Sequence, residues 1–339
     1  MKLVTFTRGD AHPQSYEYAG PPEAGPQQSP DARLGVLAGN SVIDLASASD
    51  GIIPSAMTAF LEGGEQLWRQ ARSIAAKAPG DAVIALGDVR LKSPVPEPAS
   101  LKDFTAYEEH AKAGAARRGE TLSAHWYELP AYYKGNPRAT YGPDDEIPWP
   151  YYTEKFDFEC EIACVIGKKG KNIPPEKAQD YIFGYMIFND FSARDIQKKE
   201  MTIRLGLNKG KDFANAFGPY LLTADEVDPA KDFSMRSSVN GECWSQGHFR
   251  DNHWGFPLMV SYVSQEEEIR PGDVLGSGTY YKGCGLDLNR WLKPGDVIEL
   301  KVEKLGTLKN KIGRPAAARE LNYGALRKPA LSNSDGAHR

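Results

Sequence analysis

The stretch FDFECEIACVIG, residues 156–167, constrains this chain more than any other. Its even positions, Phe156, Phe158, Cys160, Ile162, Cys164 and Ile166, are all apolar. That period of two reads as a strand over residues 156–166 with its even face in a core. The odd positions run Asp157, Glu159, Glu161, Ala163, Val165. Glu159 and Glu161 therefore share a face, about 6.7 Å apart along the strand. A solvated sheet face would explain an isolated pair of glutamates. This face, however, turns apolar at Ala163 and Val165, and the flanking even positions are large and apolar, so the strand is expected to be central. Two carboxylates buried together repel and lose hydration, which is expensive unless compensated. A hard cation, Mg²⁺ or Ca²⁺, relieves both effects, because each takes oxygen ligands.

The chain can house such a site. Its 339 residues suit one large domain, or a large one with a small companion, enough to bury a substantial core. Charged residues make up 25% and the net charge is −4, without the clustered basic excess of a nucleic-acid binder. The start, MKLVTFTRGD, lacks an apolar leader, and no apolar run approaches the roughly 18 residues of a membrane span. The expectation is a cytoplasmic protein. Cys160 and Cys164 point to the core face, and with Cys243 and Cys284 they form no CxxC, so free thiols are expected and a structural zinc site is not.

Residues 2–7, 33–38 and the SVIDLA stretch read as strands, with a Pro- and Gly-rich excursion between the first two. Residues 55–78 read as a helix broken at Gly63–Gly64. A Pro-rich connector then places a small β-rich domain at residues 1–95, a large domain at 96–325 and a tail at 326–339. In the large domain, residues 103–118 read as a helix and DYIFGYMIFND as an apolar strand. SARDIQKKE reads as a helix start with Ser192 and Asp195 in capping-box spacing. RPGDVL and KPGDVI are each a Pro-Gly turn feeding a strand. The fold class is α+β, strand-dominated, with antiparallel or mixed sheets.

Further acids are needed for a cation site. Asp190 closes the strand YMIFND, and Arg194 and Gln197 follow at helical spacing, so the three converge. Alone they would be an ordinary capped helix with an Asp–Arg pair. Asp103 and His110 are seven apart, two turns on one helical face; a lone histidine would be an ordinary core or surface residue. Other motifs fail. Residues 206–212 are too short for a P-loop, Gly276-Ser277-Gly278 lacks the third glycine of a dinucleotide fingerprint, and no GxSxG elbow occurs. His248 and His253, in GHFRDNHW, read as loop residues.

Taken together, Asp103-Phe104…His110, Phe158-Glu159-Cys160-Glu161-Ile162, Asn189-Asp190-Phe191-Ser192-Ala193-Arg194-Asp195-Ile196-Gln197 and Gly210-Lys211-Asp212-Phe213 resemble the fumarylacetoacetate hydrolase family over residues 90–310. The N-terminal part resembles the extra domain of its longer members. The resemblance implies a mixed β-roll, a homodimer and a divalent ion, Mg²⁺ or else Ca²⁺ or Mn²⁺, on Asp103, Glu159, Glu161 and Asp190. It implies His110 as general base, with Asp287 as its orienting acid and Glu109 as the rival. It implies Arg194, Gln197 and Lys211 as groups that hold substrate oxygens, with Tyr133, Thr279 and Arg118 as substrate contacts. Asp287 stands where the family has glutamate, Thr105 replaces a tyrosine, and Arg118 matches only with a one-residue shift. The implied reaction is metal-dependent hydrolysis of a C–C bond in a 1,3-diketone or acylpyruvate. Decarboxylation, hydration or isomerisation of a 2-oxo acid through the same enolate is the near alternative, and non-catalytic metal-dependent ligand binding the distant one.

Overall fold

The structure, a computed structural model, describes residues 1–9, 31–77, 80–227 and 233–315. Most of the expected excursion after the first strand, and the tail at 326–339, lie outside the described residues.

The architecture is strand-dominated α+β, with one large mixed sheet and a second sheet of five strands. At the centre of the large sheet stands Cys160–Ile166, antiparallel to Ile182–Asp190 on one side and to Asp273–Gly276 on the other. Beyond Asp273–Gly276 comes Ser100–Phe104, which runs parallel to it. Every residue of Cys160–Ile166 is buried, because both faces of the sheet are covered. The even face, Cys160, Ile162, Cys164 and Ile166, joins Leu300, Leu308 and Ile312 of the second sheet in one core. The odd face, Ala163 and Val165, joins a second core built with Phe60, Leu61 and Trp68 from the N-terminal segment. Trp68 and Phe60 both pack edge-on against Phe183 of Ile182–Asp190.

The N-terminal strands extend the same sheet. Lys2–Arg8 pairs with Asn215–Thr223 and Arg33–Ala38, and Ser41–Asp44 follows outward. The helix expected at 55–78 forms as Met57–Glu62 and Gly64–Lys77, broken where the two glycines stand. Among the described residues no helix is long and apolar enough to cross a membrane.

Three local expectations need correction. The helix placed at 103–118 is Glu108–Arg117, and Asp103 lies in the strand Ser100–Phe104. Alanines downstream of Asp103 extended the helical pattern backward, whereas sheet pairing with Asp273–Gly276 claims residues 100–104. The strand at 156–166 is interrupted: Phe156–Asp157 pairs with Ser192–Ala193, and Cys160–Ile166 begins after Glu159. The capping box is absent. Ser192 bonds the Asp190 carbonyl, while Asp195 accepts from Thr153 Oγ1 and the Glu154 N–H.

Candidate functional site

Sheet register gathers the acids. Asp103 lies opposite Gly276, Gly276 opposite Ala163, and Glu161 opposite Phe188. Since faces alternate with period two, Asp103, Glu161 and Asp190 all end on the face that carries Leu101, Ala163 and Phe188. They sit where that face's core stops. Gly276 leaves the gap between them: a Cβ there would stand 2.3 Å from Asp103 Oδ1 and 2.8 Å from the Phe188 ring. Gly278 has φ +74 and donates its N–H to Asp103 Oδ1 at 3.2 Å and to Glu161 Oε2 at 3.0 Å. Glu159, just before the strand, completes the set. One carboxylate oxygen from each of Asp103, Glu159, Glu161 and Asp190 lies within 4.8 Å of the others.

Charge in this pocket is unbalanced. Asp103, Asp157, Glu159, Glu161 and Asp190 are buried, and the buried cations facing them are Arg194 and Lys211. Lys211 Nζ bridges Glu159 and Asp190. Arg194 Nη2 reaches Glu159 Oε1 at 2.7 Å and its Nε reaches Asp157 Oδ2 at 2.7 Å. Burial opposes ionisation of Glu159, but Arg194, Lys211 and His110 outweigh it and hold the group below the usual carboxylate range. The remaining acids are not compensated. Burial raises Asp103 to about 6. Burial, then the charges of Asp103 and Glu159, push Glu161 well above the ordinary range. Asp190 is raised in the same direction despite Lys211, whose single charge is shared with Glu159. Glu161 Oε1 and Asp190 Oδ1 are buried without a hydrogen-bond partner. Orphaned, mutually repelling carboxylate oxygens fit a hard divalent cation.

The helix Glu108–Arg117 sets its histidine beside this cluster. His110 Nε2 is 3.9 Å from Glu159 Oε1, and Nδ1 is 2.8 Å from Asp287 Oδ2. Asp287 belongs to the short turn Gly285–Leu288. Burial opposes its charge, but His110 and further donors hold its carboxyl below the usual range. An ionised carboxylate only accepts, so Nδ1 carries a ring proton, and in the neutral ring the lone pair falls on Nε2. Glu109, the rival, is exposed and pairs with Lys112 at 3.2 Å.

The other expected residues divide. Tyr133 donates its hydroxyl to Asp190 Oδ2 at 2.8 Å, and Gln197 accepts from Arg194 Nη1 at 2.9 Å. Thr279 is buried, its hydroxyl on the Cys160 carbonyl at 3.1 Å. The Arg118 guanidinium is taken up by Glu120 and the Gly114 carbonyl. Two residues escaped the sequence reading. Arg117 donates to Asp287 Oδ1 at 2.7 Å. Asp157 accepts from Arg194 and from the N–H groups of Gly285 and Leu286, tying the arginine to the turn that bears Asp287. Its signal was present: Asp157 heads the same odd face as Glu159 and Glu161.

A family model described as Fumarylacetoacetate (FAA) hydrolase C-terminal matches residues 100–313. The chain is 30% identical over 269 residues to "Oxaloacetate tautomerase YisK" of Bacillus subtilis, covering 77% of this chain and 87% of that protein. It is 32% identical over 285 residues to the human "Oxaloacetate tautomerase FAHD2A, mitochondrial", covering 82% and 87%. Among solved structures, "Fumarylacetoacetate hydrolase (EaFAH) from psychrophilic Exiguobacterium antarcticum" superposes with a TM-score of 0.70 at 26% identity, covering 94% of this chain and 100% of that one.

Proposed function

This chain belongs to the fumarylacetoacetate hydrolase family, and from that premise we propose that it is a divalent-metal-dependent enzyme interconverting the keto and enol forms of a small 2-oxo acid of the oxaloacetate type. The observation that carries the reading is the base beside the acids: an imidazole whose Nδ1 is held by Asp287 and whose Nε2 is 3.9 Å from a member of a buried carboxylate cluster. Asp103, Glu159, Glu161 and Asp190 would hold the ion. When bound it supplies Lewis acidity, drawing charge onto the substrate oxygens so that the neighbouring C–H proton becomes removable.

The chain's own groups do the rest. His110 Nε2 takes the proton from the carbon next to the carbonyl, the electron pair moves to the carbonyl oxygen, and the same nitrogen returns the proton to that oxygen. No co-reactant is consumed. Asp287 holds the ring tautomer and stabilises the imidazolium while it lasts. Arg194 and Lys211 place positive charge against the developing oxyanion. Gln197, its carbonyl engaged by Arg194, has its NH₂ left to offer. Burial and Asp190 keep the Tyr133 phenol protonated, as a donor.

Hydrolysis of an acylpyruvate is the second reading, favoured by the likeness to a fumarylacetoacetate hydrolase. It needs the same base acting on a water. The deciding experiment presents Mg²⁺- or Mn²⁺-loaded protein with enol oxaloacetate and with a panel of acylpyruvates. The expected result is fast loss of enol absorbance without carbon–carbon cleavage, abolished in His110→Ala. Cleavage of an acylpyruvate with no effect on the enol would install the second reading, and no turnover of either would overturn both.

A further inference from the structure

We propose that His110, Cys284 and Asp287 form a second cation site, for a thiophilic ion such as Zn²⁺, and that filling it switches the base off. One donor atom from each of the three lies within 4.8 Å of the others. Sulfur, imidazole nitrogen and carboxylate oxygen are the ligands zinc prefers, and three protein ligands leave a fourth position open. The neighbouring cluster is oxygen only, so the two sites sort ions by hardness.

The scaffold around the three is built. Cys284 is fully buried and bridges Glu159 through the backbone, immediately before the turn that carries Asp287. Asp287 is already oriented by Arg117 at 2.7 Å and by the Lys282 N–H at 2.9 Å, the outer support that ligating carboxylates have. Entry of the ion would part His110 Nδ1 and Asp287 Oδ2, now 2.8 Å apart. Nitrogen and oxygen ligands at about 2.0–2.2 Å in a tetrahedral array stand about 3.4 Å from each other, so this pair would open by about 0.6 Å while the Cys284 sulfur, within 4.8 Å of both, would close on the ion.

Binding removes the thiol proton: Zn²⁺ takes the Cys284 thiolate, neutral His110 and ionised Asp287, and one H⁺ leaves. A ligating cysteine gives up its proton, so ion affinity increases with pH. With Nδ1 on the ion, the ring proton resides on Nε2 and the basic lone pair is gone. Only this last consequence rests on the function proposed above.

The test uses Mg²⁺-saturated full-length protein. Zn²⁺ should inhibit turnover, a chelator should restore it, and Cys284→Ala should match the parent without Zn²⁺ while needing at least about tenfold more Zn²⁺ for half inhibition. Cys284→Ser, which keeps the volume, replaces it if alanine lowers the melting temperature. A second arm needs no substrate. Co²⁺ should give a thiolate-to-metal absorption band in the parent and in Cys243→Ser, absent in Cys284→Ala. Equal Zn²⁺ sensitivity in parent and Cys284→Ala, or a band that survives Cys284→Ala, overturns the site. Should no substrate turn over, the band alone decides.

Discussion

Replacing Asp287 by asparagine tests the acid–base pair with almost no change of shape. Both carboxylate oxygens accept, Oδ2 from His110 and the Lys282 N–H, Oδ1 from Arg117. An amide offers one acceptor atom and one donor atom, so either orientation sets donor against donor. With nitrogen toward His110, the Lys282 N–H loses its acceptor and the ring proton is forced to Nε2. With nitrogen toward Arg117, the loss falls on a side chain 34% exposed that can turn into water, a pair contributing at most about 1 kcal/mol. The second orientation wins, the tautomer survives, and the fold is barely disturbed. What disappears is the negative charge beside the imidazolium. Charges about 4 Å apart in an effective dielectric of about 20 interact by about 4 kcal/mol. That is about three powers of ten in rate, within the ~10²–10⁴-fold that general base catalysis contributes. In an enol-oxaloacetate assay with saturating Mg²⁺, kcat should fall about a thousandfold while ion affinity and melting temperature hold. A kcat within about tenfold of the parent across the accessible pH range refutes the reasoning.

At about a hundred times its Kd, Mg²⁺ or Mn²⁺ should stabilise chelator-treated protein by about 2.7 kcal/mol. Glu161→Gln should erase that gain, and equal shifts in both proteins would remove the ion from the acid cluster. The ion-free protein should lose stability as pH rises from the ordinary carboxyl range near ~4 through about 6 for Asp103, because the folded carboxyl holds its proton more tightly than the unfolded one. A melting temperature that climbs over that interval contradicts this. Asp44 behaves in the opposite sense: burial opposes its charge, but Arg33, the Ser47 N–H and Arg8 lower its carboxyl overall. Its contribution is present above the unfolded value near ~4 and is lost as pH falls through the lower folded one, so Asp44→Asn should flatten the acid side of the stability curve. Asp157→Asn should lower stability by about 1–3 kcal/mol and depress turnover, since an amide cannot accept from Arg194, Gly285 and Leu286 together. Unchanged melting would mean those donors find other partners.

The sequence by itself determined what depends on short range. Alternation in residues 156–166 marked Glu159 and Glu161 as neighbours at a central strand, although Glu159 lies just before Cys160–Ile166. Paired glycines broke the N-terminal helix, and Pro-Gly turns opened two strands. Spacing singled out Asp190 with Arg194 and Gln197, and Asp103 with His110, whereas Asp287 is implied by the family resemblance alone. Asp103 and His110 do not share a helix, because the strand Ser100–Phe104 takes Asp103 first. Periodicity also could not say that Ala163 and Val165 lie beneath helices from residues 57–77, which is why their face turns apolar. Only tertiary structure decided how the acids meet. Asp103 and Asp190 are far apart in the chain, and their meeting depends on strand order and register across Ser100–Phe104, Asp273–Gly276, Cys160–Ile166 and Ile182–Asp190. A one-residue slip in any of those pairings would turn a carboxylate to the opposite face. Local pattern fixes which face a side chain takes along its own strand; which strands lie side by side is set by long-range burial, and in this chain that burial includes the N-terminal segment.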